Sequence, residues 1–191
     1  TFIGAGPSSL IAAILLKSKR SDLDVVVIEK EKLSGRKIKA TGNGKCNIAP
    51  RFDDVNKYNH PEFVKHIFDI VTFEDYLNVF SSLGIPLKLI EDYGYYPVSE
   101  SAPNVASILC GRALYLGVKI LNEIQLVDYS YFNKGYLLKT NTKDFYTDVL
   151  VFGNAWYREL PGVFEYEKIR SIDEILNYRI SHDELEKKFN K

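Results

Sequence analysis

The opening residues restrict this chain more than anything that follows. Thr1–Ile3 reads as the tail of a strand that runs straight into Gly4-Ala5-Gly6-Pro7-Ser8-Ser9. From Leu10 to about Lys19 the chain is rich in Ala, Leu and Ile, with no polar residue before Lys17. A helix mostly buried against a parallel sheet has that composition. After Ser21-Asp22 comes Val25-Val26-Val27-Ile28, a continuous β-branched run of the kind found in central parallel strands. Strand, turn, helix and strand in this order make one βαβ unit, so the chain is expected to be α/β.

The turn also carries a chemical expectation. Gly4-x-Gly6-x-x-Ser9 has the spacing of a dinucleotide fingerprint, with Ser9 in the place of the third glycine. Gly4 permits the tight turn, Gly6 lets the backbone approach a pyrophosphate, and Ser9 is small enough for near-normal helix–strand packing. A helix starting at Pro7 and Ser8 points unpaired N–H groups and its positive dipole end at phosphates. Glu29 falls 20 residues after Ser9, followed by Lys30. A carboxylate there accepts both ribose hydroxyls and repels a 2′-phosphate, which favours FAD or NAD over NADP. The bland alternative, a tight turn without a ligand, accounts less well for all these features occurring in order.

Further along, residues 31–56 lack periodicity and are rich in Gly, Lys and Asn, and a long irregular stretch is more often functional than idle. Residues 61–83 are helical in pattern, with a division into two helices at Thr72 or Phe73 and a stop at Gly84. Pro86–Ile90 and Tyr95–Val98 form a hairpin around Glu91-Asp92-Tyr93-Gly94. A helix from Ala102 to about Leu116 follows. Val118–Leu121, Ile124–Tyr131, Tyr136–Thr140 and Phe145–Phe152 then read as an antiparallel meander. The expected domain is 1–155, in incomplete form, with 156–191 a peripheral, mainly helical segment.

Gly35-Arg36-Lys37 and Ala40-Thr41-Gly42-Asn43-Gly44-Lys45-Cys46-Asn47 form a second concentration of phosphate-friendly groups: cations plus backbone N–H exposed by glycines. GAGPSSLIAA, VIEK, GRKIKATGNGKCN and YYPVSESAPNVASIL together resemble the BaiN-like family of NAD(P)/FAD-dependent oxidoreductases, in order from Gly4 to about Phe152. The resemblance implies a Rossmann-like FAD/NAD(P)-binding domain with a central parallel sheet, an antiparallel β-meander crossover and peripheral helices. It assigns cofactor binding to Gly4, Gly6, Pro7, Ser8, Ser9, Glu29 and Lys30 around the ADP half. Arg36, Lys37, Thr41, Gly42, Asn43, Gly44, Cys46 and Asn47 would run along the pyrophosphate toward the flavin, and the Ile124 backbone would lie by the adenine. Where such proteins end the meander on Ala-Thr-Gly-Gly, this chain has Gly153-Asn154-Ala155-Trp156. The inserted β-rich domain and second glycine-rich segment of such proteins have no counterpart after Trp156. The chain is therefore read as a fragment, a trimmed form or a minimal relative.

Other chemistries find little support. His60, His66 and His182 lack metal-ligand spacing, so no metal is expected. Cys46 has no C-x-x-C partner, and Cys110 sits in a separate apolar helix, which gives a thiol–disulfide cycle no evident pair. No side chain is assigned a catalytic role. Tyr93, Tyr95 and Tyr96 crowd the hairpin, where aromatic residues more often pack than line a pocket. With 25 basic and 25 acidic residues the net charge is zero, which argues against a broad nucleic-acid footprint. The apolar run Leu10–Leu16 is far shorter than the roughly 20 residues of a membrane span. Two cysteines suit a reducing cytoplasm. The expected function is an FAD-binding oxidoreductase taking electrons from NAD(P)H to a small organic acceptor, of open oligomeric state. The alternatives are a non-catalytic dinucleotide-binding module and, less consistent with the second loop, a simple NAD-dependent dehydrogenase.

Overall fold

A computed structural model describes residues 1–50, 55–90 and 93–153 of the 191-residue chain. The expected helical segment 156–191 lies outside the described residues, as do Asn154 and Ala155.

The centre is a four-stranded parallel sheet made of β1 (Phe2–Ile3), β2 (Val26–Ile28), β5 (Lys119–Leu121) and β9 (Val151–Phe152). Their order across the sheet is β5-β2-β1-β9. Phe2 pairs with Val27 on one side and with Val151 on the other. Helix α1 (Pro7–Lys19) makes the crossover from β1 to β2, and α5 (Ala102–Tyr115) leads into β5 and packs against α1.

Side-chain alternation decides what each face of this sheet covers. Phe2 and Val27 join Leu10, Ala13 and Ile14 of α1 and Val105, Ala106 and Leu109 of α5 in the main core. Ile3 and Ile28 are equally buried but belong to the opposite face. There Phe152, the register partner of Ile3, meets the Tyr129 ring at 5.4 Å. Burial of both faces is why the strands read as unbroken apolar runs, and each fully buried Leu or Ile contributes about 1.5–3 kcal/mol.

Tyr129 belongs to a separate antiparallel sheet of β6 (Leu126–Phe132), β7 (Gly135–Thr140) and β8 (Phe145–Thr147), in the order β6-β7-β8. This is the meander, and it is shorter than the sequence pattern suggests. The strands expected at 118–121 and at the end of 145–152 lie in the parallel sheet instead. An extended run fits either sheet locally; the choice is made by tertiary partners that no local pattern records.

The helical stretch divides as expected, into α3 (Pro61–Ile70) and α4 (Phe73–Ser82). Thr72 is the N-cap of α4: its hydroxyl accepts the Asp75 N–H, and the Asp75 carboxylate accepts the Thr72 N–H in return. β3 (Leu87–Ile90) and β4 (Gly94–Pro97) form the hairpin. The irregular stretch contains a short helix, α2 (Arg36–Lys39), and a 3-10 turn at Thr41–Gly44. No helix among the described residues is long and apolar enough to cross a membrane.

Candidate functional site

At the C-terminal end of β1 the chain turns through Gly4, at φ 88°, into the uncapped start of α1. Three bonds hold this turn. The Gly4 N–H donates to the Ile28 carbonyl at 2.7 Å, the Ala5 N–H to a Glu29 carboxylate oxygen at 2.7 Å, and the Gly35 N–H to the Ala5 carbonyl at 3.0 Å. Gly6 is the N-cap residue and offers no side chain, while Pro7 has no N–H to satisfy. The remaining first-turn N–H groups thus have no side-chain acceptor and point outward with the helix dipole. Pro7 and Ser8 are exposed at this mouth.

Glu29 does more than the spacing suggests. Its other carboxylate oxygen accepts the Glu31 N–H at 3.0 Å, so the group bridges the fingerprint turn and the chain after β2. A carboxylate has about four acceptor sites, and backbone amides use two of them here. The others are open to hydroxyl donors, and the carboxylate is held in place by its own backbone. Lys30 is exposed.

Ser9 is 1 % exposed, and its hydroxyl is buried without a hydrogen-bond partner. It lies against the end of β9, where the Gly153 N–H donates to the Ile3 carbonyl at 3.0 Å. A Cβ built on Gly153 would overlap the Ser9 Oγ. The small residue demanded at the third fingerprint position is therefore supplied from both sides of the contact.

Β1 has β2 on one side and β9 on the other, so the crevice above these strand ends lies where the strand order reverses, the usual ligand position in open α/β sheets. Around it the other expected residues fall unevenly. Arg36 is exposed and paired with Glu31 at 2.7 Å, and Lys37 is exposed. The Ile124 N–H donates to the Glu29 carbonyl at 2.9 Å, which places Ile124 beside the acidic residue but commits its amide.

The second loop is tied to this turn through Gly35 and then follows its own course. Thr41 donates its hydroxyl to the Ile38 carbonyl at 2.7 Å; Gly42, Asn43, Gly44 and Cys46 all have positive φ. Thr41, Gly42 and Asn43 are exposed, whereas Cys46 turns inward and joins the core at 4 % exposure. Burial pushes the Cys46 thiol up, against a smaller opposing effect from Thr41, and disfavours a thiolate. Asn47 donates to the Tyr93 carbonyl at 3.0 Å. Ile48 and Ala49 bond to Tyr95 at the hairpin edge, and the Tyr76 hydroxyl donates to the Ile48 carbonyl at 3.1 Å. Tyr76, packed between Phe73 and Phe80, is pushed up to about 12, mainly by burial.

Two participants escaped the sequence reading. Ala5 supplies the amide that fixes Glu29, and Glu100 accepts both Lys45, at 3.1 Å, and Lys88, at 2.5 Å. Neither has a spacing signature, because both act between segments far apart in the chain.

Comparison with known proteins bears on the family and the fold. The chain is 30% identical over 151 residues to a 3-dehydro-bile acid delta(4,6)-reductase of Clostridium scindens. That match takes in 78% of this chain and 37% of the reductase, so the chain spans well under half of that relative's length. Among solved structures, the L-proline dehydrogenase from P. horikoshii shares the fold, with a TM-score of 0.50 and 18% identity, over 85% of this chain and 54% of that one. The HI0933-like protein Rossmann domain matches residues 1–156, and the chain belongs to that family, which is the BaiN-like oxidoreductase family its second loop resembles.

Proposed function

We propose that this chain is the FAD-binding part of a flavoprotein oxidoreductase that takes electrons from NAD(P)H and delivers them to a small organic acceptor. The observation that carries this reading is the Glu29 carboxylate. It is fixed by the Ala5 and Glu31 amides, and it lies beside a helix start that no side chain caps.

The residues present fit a dinucleotide. The α1 N-terminus offers N–H donors and a positive dipole end to a pyrophosphate, and Gly6 presents only backbone to it. Glu29 keeps acceptor sites for ribose hydroxyls, in an orientation set before any ligand arrives. That preorganisation reduces the ordering cost of binding. Arg36 and Lys37 add positive charge on the approach to the pyrophosphate. On this reading the Thr41–Asn47 loop, exposed at Thr41, Gly42 and Asn43, serves the ring side. When bound, FAD supplies the electron chemistry, while the protein positions it and tunes its surroundings. With its thiol buried and pushed up, Cys46 serves packing rather than a redox cycle.

The bile acid reductase to which the chain is similar suggests an acceptor class: a carbon–carbon double bond conjugated to a carbonyl in a steroid-type ring.

The deciding experiment is a visible spectrum of the purified full-length protein, with any released cofactor identified. A flavin spectrum yielding FAD, bleached by NADH or NADPH under anaerobic conditions, is the expected result. A colourless protein that also refuses added FAD would overturn the reading and leave a non-catalytic dinucleotide-binding module.

A further inference from the structure

The motif YYPVSESAPNV runs from β4 to α5, and none of its residues is among those assigned above to the nucleotide. Its Glu100 nevertheless stands at a junction. The carboxylate accepts Lys88 of β3 through one oxygen, at 2.5 Å, and Lys45 of the glycine-rich loop through the other, at 3.1 Å. Lys45 follows directly on the run of positive-φ residues Gly42, Asn43 and Gly44. Glu100 itself has φ 44°, a left-handed conformation unusual for a non-glycine residue, and its N–H donates to the Pro97 carbonyl at 2.8 Å. The next residue, Ser101, caps α5, accepting the Asn104 N–H at 3.3 Å, and α5 packs against the 3-10 turn of that same loop. Loop, hairpin and helix thus converge on one side chain.

A turn at φ 44° is easiest for glycine, so the backbone gains nothing from glutamate at this position. What glutamate adds is the bridge. We infer that Glu100 is a positioning residue: by holding Lys45 against the hairpin it fixes the Gly42–Asn47 backbone in the shape presented to the flavin side of the cofactor. This rests on the FAD reading above. The two lysines hold the carboxylate below its usual range, Lys88 having the larger effect and Lys45 the smaller.

The test uses three variants of the full chain: Glu100→Gly, Glu100→Gln and Lys88→Met. Glu100→Gly removes the side chain while leaving the turn its preferred residue, so the melting temperature of the apo-protein is expected to hold. Amide hydrogen exchange over 42–47 in the apo-protein should rise about tenfold, and FAD should bind about tenfold more weakly. Glu100→Gln, which keeps the geometry but not the charge, should fall between. Lys88→Met leaves Lys45 in place and should leave loop exchange near wild type. Unchanged exchange in Glu100→Gly, or faster exchange with unchanged FAD affinity, would overturn the inference. If wild type itself takes no FAD, the reading under test is the earlier one, and the exchange data alone then decide whether Glu100 holds the loop.

Discussion

The Ser9 hydroxyl occupies the space that a Cβ on Gly153 would need. These residues lie at opposite ends of the described chain, yet they form one contact between the start of α1 and the end of β9. A serine at the third fingerprint position is possible here because the strand beside it is followed directly by glycine. Gly153→Ala is expected to cost about 1–3 kcal/mol through overpacking, read as a lower denaturation midpoint with unchanged slope. Ser9→Gly in the same chain should recover most of that loss, a coupling that a double-mutant cycle measures directly. Ser9→Ala alone removes a buried hydroxyl without a partner and should stabilise the apo-protein by up to about 1 kcal/mol.

Gly94 is another position where a side chain has no room. It opens β4 at φ 105°, and a Cβ there would overlap the Ala49 carbonyl oxygen, which accepts the Tyr95 N–H at 2.7 Å. Gly94→Ala must therefore push the 48–50 segment off the hairpin edge. A loss of about 2–4 kcal/mol is expected from strain and broken pairing together. Because that segment anchors the second loop, weaker FAD uptake should accompany the drop in melting temperature.

Glu29 predicts a split between stability and binding. Glu29→Gln replaces one carboxylate oxygen by an NH2 group, and the two backbone amides it serves then compete for a single acceptor oxygen. The apo-protein should lose about 1–3 kcal/mol. FAD affinity should fall by a further factor of about 10 or more once the loss of folded protein is accounted for, measured by fluorescence titration. Equal FAD affinity in the folded fraction would remove Glu29 from the site.

The cap of α4 makes a pH-dependent prediction. Hydrogen bonds from the Thr72 hydroxyl and N–H hold the Asp75 carboxyl below the usual carboxylate range. The folded state therefore favours the charged form. The resulting stability is present above the unfolded value, about 3.9, and is lost as pH falls through the lowered folded value. Thr72→Ala should cost about 1 kcal/mol near neutrality by losing the cap. Its denaturation midpoint should then fall less steeply than that of wild type below about pH 4, as urea titrations from neutrality into acid would show.

The βαβ unit was legible because its residues are buried by local design: an apolar helix with no polar face and a β-branched strand have few other places to go. The break at Thr72 or Phe73 was legible too, but the exchange of hydrogen bonds between Thr72 and Asp75 that fixes it was not. Membership of the parallel sheet was not. Lys119–Leu121 and Val151–Phe152 are extended segments that would suit the meander equally well, and only their pairing with Val26–Ile28 and Phe2–Ile3 separates them from it. In the candidate site the glycine spacing and Glu29 were readable. The amide of Ala5 that holds Glu29, the space shared by Ser9 and Gly153, and the bridge through Glu100 were not. Each joins residues whose proximity is a product of the completed fold rather than of any local pattern.

The sheet order also sets a schedule. β1 pairs with β2 after one helix, but its other neighbour, β9, arrives only with residues 151 and 152. While the chain is being made, one edge of β1 stays open until nearly every other described element has left the ribosome. Contacts of such long sequence separation are closed late and slowly. The crevice above these strand ends needs both neighbours of β1, so among the described residues it is expected to form late. A ligand that binds there would act as a seal on walls already assembled rather than as a template for assembling them.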